Sequence, residues 1–369
     1  MTLVTASTAA HLPAASDLIG RQYELAELTA ALEDLRSGRG RLFLLTGDAG
    51  IGKTRLLEAV ADVTAPTDTT VLWGRCWEGG GAAPYWPWSQ VVGTVLRDLD
   101  GHRSSAYPEA VLRYVSELAA ERAVVADRPR ASSGIDLPGA RAALFDAIVT
   151  LLRIRSAEGG LVVALDDLQA ADEASLRLLQ FVARELSSSP VLIVATYRDA
   201  DVRSSPSLHQ LMSAISRQGR RITLSGLDED GVALLLRRIT GGTRLVADAR
   251  TIHDTTDGNP FFVQETARLL VAEHHLARDT AATGRVPVPE EVHLLIRRRL
   301  DPLPAEAHEA LRMASVLGRD FEVGVLATLS DQSPDALLDV LDQGAELAVV
   351  EDRGLGRWQF CHALLREAL

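Results

Sequence analysis

Apolar residues fall along this chain in two kinds of run. Short unbroken runs of strand length occur at Arg41–Thr46 (RLFLLT), Thr70–Arg75, Leu161–Leu165 (LVVAL) and Pro190–Thr196 (PVLIVAT), with a shorter one at Arg221–Leu224. Continuous apolar runs of this length suit strands buried on both faces. Between them the spacing changes to a helical period. Leu25, Leu28, Leu32 and Leu35 share one helical face, and Ser37-Gly38-Arg39-Gly40 ends that helix. Further helices are expected over Thr54–Val63, Ser89–Leu99, Pro108–Val125, Ala140–Ile154, Asp172–Leu186 (with Asp172 as N-cap) and Ser207–Ser216. The alternation predicts an α/β fold, a parallel sheet with helices on both faces.

From Asp228 the pattern becomes helical, over Asp228–Ile239, Arg244–Thr255 and Phe261–His274. Ala277–Val288 reads as a linker. Val292, Leu295, Ile296 and Leu300 then form one stripe. Pro304 opens a helix ending near Leu317, and Pro334 opens one ending near Gln343. Leu347–Glu351 and Arg357–Phe360 predict a hairpin around Gly354-Leu355-Gly356. Helices followed by a hairpin give a winged-helix order. The expected division is a loose tail (1–16), an α/β domain (17–226), a helical domain (227–288) and a winged-helix domain (289–369).

One stretch is unlike the rest. Four of the five tryptophans lie between Trp73 and Trp88, in a segment rich in glycine and proline. It predicts an ordered loop pinned by its own aromatic minicore rather than a regular element. Asp127–Pro138 predicts a second loop.

The first strand leads into Gly47-Asp48-Ala49-Gly50-Ile51-Gly52-Lys53-Thr54, which fits G-x-x-x-x-G-K-[ST] without a mismatch, with Arg55 next in the helix. The strand–loop–helix order is the one such a loop needs. Glycines let backbone N–H groups turn inward around phosphate oxygens, and the helix N-terminus adds partial positive charge. Lys53 supplies a mobile cation for the β- and γ-phosphates, and the Thr54 hydroxyl can ligate Mg2+. Lys53 is also the only lysine in the chain. Where arginine serves almost everywhere else, a compact charge on a flexible stem is kept for phosphate.

The apolar strand ending in Asp166-Asp167 is the natural partner of that loop. An acidic residue at such a strand end holds Mg2+ through its water shell, a role that falls to Asp166. Asp167 is placed to orient an attacking water, and its short side chain points to slow hydrolysis. Arg198, just past the next strand, lies on the edge where ligands bind in parallel sheets and can sense a γ-phosphate. Its competing reading is an ion pair with Asp199 or Asp201.

Composition narrows the field. The net charge of −12 argues against a large nucleic-acid surface. Arg297-Arg298-Arg299 reads as a solvated helix face. Cys76 and Cys361 are far apart in sequence and form no disulfide framework, so a reduced, cytoplasmic location is expected. No apolar run reaches membrane-spanning length, and no signal peptide is evident. His274 and His275 have no partners at metal-site spacing, so no zinc is inferred.

Ile19-Gly20-Arg21, the phosphate loop, Gly74-Arg75-Cys76-Trp77, Asp166-Asp167-Leu168-Gln169-Ala170-Ala171-Asp172, Thr196-Tyr197-Arg198 and Gly258-Asn259-Pro260 occur in that order. The set resembles the STAND class of signal-transduction ATPases, and within it the ATPase core of the large ATP-binding LuxR-family transcriptional regulators. The resemblance implies ATP or ADP with Mg2+ as ligands and three domains closed over ADP at rest. It implies that Gly20 and Arg21 lie near the adenine, that Pro260 packs on the base, and that His362 reaches the β-phosphate. It also implies self-association once ATP is bound. Such regulators continue into a sensor region and a helix-turn-helix DNA-binding domain. Neither follows here: the sequence stops at Leu369 inside an apparent helix, which suggests a core separated from its sensor and output modules. A constitutive ATPase motor and a winged-helix DNA-binding module are the alternatives.

Overall fold

The computed structural model describes residues 18–35, 37–77, 83–99, 107–124, 138–241, 248–276, 300–330, 332–347, 349–361, 365–366 and 369. The expected tail, the 277–288 linker, Val292, Leu295, Ile296, the 297–299 arginines and His362 lie outside them.

The chain opens with α1 (Gln22–Leu35), β1 (Arg41–Thr46), α2 (Lys53–Thr64) and β2 (Thr70–Arg75). Helices α3 (Trp86–Leu99), α4 (Glu109–Val124) and α5 (Pro138–Ser156) precede β3 (Leu161–Asp166). Then come α6 (Glu173–Glu185), β4 (Val191–Tyr197), the short α7 (Asp199–Arg203), α8 (Pro206–Ser216) and β5 (Arg220–Thr223). The strands form one parallel five-stranded sheet in the order β2-β3-β4-β1-β5. Every residue of β3 and β4 is buried, which is why both read as unbroken apolar runs. Register places Arg75 opposite Asp166 and Leu165 opposite Ala195, so the strands end together at their carboxyl edge. In an open parallel sheet that edge receives ligands.

Helices α9 (Glu229–Thr240), α10 (Ala249–Thr256) and α11 (Pro260–Leu276) follow. Two begin on aspartate N-caps: Asp228 accepts from the Gly231 N–H and Asp248 from the Thr251 N–H, both at 2.8 Å. The last described stretch holds α12 (Ala305–Leu317), β6 (Asp320–Glu322), α13 (Val323–Ser330), α14 (Pro334–Glu346), β7 (Val350–Gly354) and β8 (Arg357–Phe360). Its antiparallel sheet runs β6-β8-β7. Leu311, Leu326, Leu341, Trp358 and Phe360 fill its core.

Several details differ from the pattern-based expectation. Strand β6 is three residues long and alternates exposed, buried, exposed, too brief to register as a period. The tryptophan segment is not wholly loop: Trp86-Pro87-Trp88 forms the first turn of α3, where proline costs no hydrogen bond. Trp88 and Tyr85 are buried as a minicore requires, whereas Trp77 is exposed and Trp73 lies under the Arg75 guanidinium at 5.4 Å. The last strand pair begins at Val350 rather than Leu347, which caps α14.

The chain divides into two compact units. One comprises 1–43, 54–166 and 178–195, the other 44–53, 167–177 and 196–369. The phosphate-loop segment 44–53 groups with the C-terminal part of the chain.

Within the second unit the backbone at 226–227 presses against 257–258. A Cβ on Gly226 would lie 1.9 Å from the Asp257 carbonyl oxygen, and one on Gly258 2.0 Å from that of Leu227. The Leu227 N–H donates to the Gly258 carbonyl at 2.8 Å. Gly226→Ala is therefore expected to lower unfolding free energy by about 2 kcal/mol or more. Gly324, inside α13 with open space around it, is the matched control, and Gly324→Ala should be neutral or slightly stabilising. Urea unfolding of both variants checks this, and equal effects would contradict it.

Candidate functional site

The phosphate loop leaves β1 and enters α2, as the sequence predicts. Gly47, Gly50 and Gly52 have φ of 139°, 75° and 101°, backbone that side chains rarely adopt. A Cβ at Gly52 would meet nothing within 4 Å, whereas one at Gly47 would lie 2.6 Å from the Leu224 carbonyl oxygen. One side of the loop is thus open and another is closed by backbone. Lys53 is buried, and its Nζ donates to the carbonyls of Gly47 (2.8 Å) and Asp48 (2.7 Å). The ammonium therefore sits at the mouth of its own loop. Ile51 is buried and its N–H donates to the Asp48 carbonyl at 3.3 Å, which tightens the turn.

In the same unit, Asn259 closes on this loop. It is 3% exposed; its Nδ2 donates to the Ala49 carbonyl at 2.9 Å and its Oδ1 accepts from the Phe261 N–H at 3.1 Å. The Phe261 N–H also points to the Gly50 carbonyl at 3.3 Å, and a Cβ on Gly50 would lie 2.6 Å from the Phe261 Cβ. Asn259 thus acts as N-cap of α11 and as clamp on the loop at once. Pro260 takes the first position of that helix, where its missing N–H costs nothing.

Across the peptide bond from Lys53, in the first unit, the Thr54 Oγ1 lies 3.1 Å from both carboxylate oxygens of buried Asp166. A hydroxyl and a carboxylate converging in this way are a donor set that suits Mg2+, a hard cation bound through oxygen. The Asp166 carbonyl accepts from the Cys76 N–H at 3.0 Å. Arg55 turns along α2 to Glu58 at 3.3 Å, an ion pair on its own helix. Gly20 has φ 67° and is exposed. Arg21 is buried beside Glu24 at 3.4 Å; burial lowers its pKa, and the Glu24 carboxylate opposes that shift.

At the ends of β3 and β4, again in the second unit, Asp167 adopts the left-handed region with φ 61°. Its N–H donates to the Thr196 Oγ1 at 2.9 Å, and its Oδ1 accepts from the Gln169 Nε2 at 2.8 Å. The other end of the same amide, Gln169 Oε1, accepts from the Arg198 N–H at 3.2 Å. The Arg198 guanidinium lies 3.8 Å from Asp167 and 3.7 Å from Asp201. The two readings of Arg198 are therefore not exclusive, since it pairs with Asp201 while facing Asp167. Ion pairs as exposed as these two contribute little each. Asp199 is engaged elsewhere, accepting from the Thr46 hydroxyl.

Sequence reasoning missed four members of this constellation: Asn259, Phe261, Gln169 and Thr196. Three of them, Asn259, Gln169 and Thr196, lie inside motifs quoted for the resemblance, and Phe261 follows directly on Gly258-Asn259-Pro260, so their positions were marked but not their contacts. His362 lies outside the described residues.

Comparison with known proteins agrees with this geometry. Residues 17–194 match the family model described as the AAA ATPase domain. An uncharacterized protein of Rhizobium meliloti (strain 1021) is 26% identical over 95% of this chain, and the chain spans only 35% of that relative's length. The ORC2 protein of Aeropyrum pernix, solved as ADPNP–ADP complexes, shares the fold with a TM-score of 0.54 at 14% identity, over 95% of this chain and 93% of that one. A STAND protein of Pyrococcus horikoshii with a tetratricopeptide repeat sensor aligns over 92% of this chain and 41% of its own, with a TM-score of 0.35 at 15% identity. The chain therefore has a P-loop α/β fold, and its residues 17–194 are similar to the AAA ATPase domain. Among the described residues, no helix is long and apolar enough to cross a membrane.

Gln169→Leu removes the bond to the Asp167 carboxylate and the one from the Arg198 N–H while leaving the phosphate-loop residues unaltered. ATP turnover by this variant should fall by roughly tenfold while the Kd for nucleotide stays within about twofold. Steady-state turnover beside equilibrium binding of a fluorescent nucleotide checks it. Equal loss in both would mean Gln169 supports the fold instead.

Proposed function

We propose that this chain is a nucleotide-operated switch, a slow ATPase whose ADP-bound form is closed and whose ATP-bound form opens and self-associates. The observation that carries the reading is the Asn259 clamp. The loop that would cradle phosphate is held through its Ala49 carbonyl by a residue from a helical segment more than two hundred positions away. A rigid enzyme needs only the loop and its strand-end acids. A clamp from a separate element lets the phosphates act on that element and lets the element act on affinity.

The residues suit ATP or ADP with Mg2+. The loop N–H groups of residues 48–54 and Lys53 would bind phosphate oxygens. Thr54 and Asp166 would hold Mg2+, which when bound neutralises charge on the phosphates. Asp167 would orient the attacking water, and Arg198 would exchange its weak carboxylate partners for a γ-phosphate. Gly20 and Arg21 would lie toward the adenine with Pro260 on the base, and His362 would contact the β-phosphate. These assignments follow the resemblance. On the same footing, residues 17–226, 227–288 and 289–369 are the nucleotide-binding, helical and winged-helix domains of the regulatory core of a cytoplasmic bacterial transcription regulator. Sensing and DNA binding would belong to regions beyond it, and this core would not itself bind nucleic acid.

A second reading is favoured by the Asp167–Gln169–Arg198 arrangement, which would equally serve a constitutive ATPase. Turnover separates the two, because a motor should exceed about one per second and a switch should fall far below it.

Denaturing the purified protein and identifying the released nucleotide by chromatography tests the proposal, with Lys53→Ala as control. Near-stoichiometric ADP from wild type alone is expected. If Lys53→Ala binds ATP and ADP as tightly as wild type, the loop is not the phosphate site and the reading falls. A wild-type protein that arrives empty and turns ATP over rapidly would favour the constitutive enzyme.

A further inference from the structure

The Asn259 clamp does not stand alone. Two residues before it, Asp257 ends α10 in the left-handed region (φ 49°) and accepts a forked ion pair from Arg319, with Nη1 at 2.7 Å and Nη2 at 3.1 Å. Arg319 belongs to the C-terminal module. Its carbonyl accepts from the Phe360 N–H at 2.8 Å, and Phe360 is fully buried in that module's core. The next residue begins β6, which pairs with β8. Among the described residues the buried guanidinium Nε meets no hydrogen-bond partner, and the other two nitrogens both turn to Asp257. Two parallel nitrogens meeting two carboxylate oxygens fix orientation as well as distance, which a lysine could not do.

The segment carrying Asp257 cannot slide independently of the phosphate loop. Gly258 and Leu227 share backbone contact with no room for a Cβ. Three residues upstream, the Leu224 N–H donates to the Thr46 carbonyl at 2.8 Å, and the Leu224 carbonyl closes one side of Gly47. Downstream, Phe261 presses on Gly50 and also packs against the C-terminal core. Residues 257–261 are thus gripped at one end by Arg319 and at the other by the loop.

We propose that the Asp257–Arg319 pair is the latch through which the C-terminal module holds Asn259 and Phe261 against the phosphate loop, so that the module's docking sets the rate at which nucleoside diphosphate leaves. This rests on the switch reading and gives it named positioning residues. With the latch closed, the loop carbonyls of Ala49 and Gly50 stay clamped and ADP is retained. With the latch open, the 257–261 turn is free to withdraw and the diphosphate escapes. A signal that pulls on the C-terminal module would therefore reach the nucleotide without touching it.

The test uses Asp257→Asn, which tolerates the left-handed backbone, Arg319→Gln, Arg319→Lys and the Asp257→Asn/Arg319→Gln double variant, with Lys53→Ala beside them. Release of a fluorescent ADP is followed by stopped flow, and amide hydrogen exchange of residues 44–53 is measured in nucleotide-free protein. Each single variant should release ADP about tenfold faster and raise exchange in 44–53, and the double should be no worse than either single. Arg319→Lys should behave like Arg319→Gln, because the fork and not the charge is the latch. Unchanged release and exchange in all four variants, with Lys53→Ala unable to bind, would overturn the latch and leave the switch standing. Lys53→Ala binding like wild type would sink the switch reading whatever the latch variants do. If Asp257→Asn or Arg319→Gln fails to fold, as its thermal unfolding would show, Arg319→Lys decides the matter, since ADP release within about twofold of wild type overturns the proposal; where both singles fold, additive losses in the cycle would also overturn it.

Discussion

A buried amide with three hydrogen-bonding atoms has few places to go. Asn259 is almost wholly removed from water, so both ends of its side chain must find partners inside the protein. One end finds the start of its own helix and the other finds the phosphate loop. That requirement ties together two segments that sequence alone keeps more than two hundred residues apart. An aspartate could cap the helix equally well but could not donate to Ala49; a serine could not span both. The residue type follows from the double demand, and the grouping of 44–53 with the C-terminal half of the chain is consistent with it.

A tight loop cannot satisfy a clamp unless its own backbone is held on the other flank. The Leu224 carbonyl supplies that support, placed by a backbone bond to Thr46 at the end of β1. Glycine at 47, 226 and 258 is therefore a packing requirement as much as a conformational one. In each case a Cβ would meet a carbonyl oxygen inside van der Waals distance. Chains of backbone in direct contact transmit displacement with little loss, since there is no side-chain rotamer to absorb it.

The parts legible in the sequence were those with a strong local period or a fixed spacing. Strands β3 and β4 announced themselves because burial on both faces keeps polar residues out of all but their carboxyl ends. The phosphate loop did so because its chemistry demands glycine and lysine at set positions. The pairing of Thr54 with Asp166 followed from where strand ends fall in a parallel sheet. What stayed hidden depends on contacts between distant segments. Strand β6 is shorter than any period, and α3 begins inside a stretch whose prolines and glycines read as loop. Gln169 bridges Asp167 to the Arg198 backbone across twenty-nine positions, a relation no one-dimensional pattern encodes. Arg319 carried no signal at all, because an arginine before a short strand looks like any solvated arginine.

The backbone at position 167 has one more consequence. Asp167 sits at positive φ, a region that aspartate and asparagine enter at little cost because their short side chains bond locally. Glutamate, whose extra methylene would carry a carboxylate further from the strand end, is poorly suited to that conformation and would forfeit the bond that Gln169 makes to the shorter chain. The choice of acid at this strand end is therefore bound to a dihedral angle as well as to chemical need. Lengthening the side chain at this position would therefore call for a rebuilt turn after β3 as well.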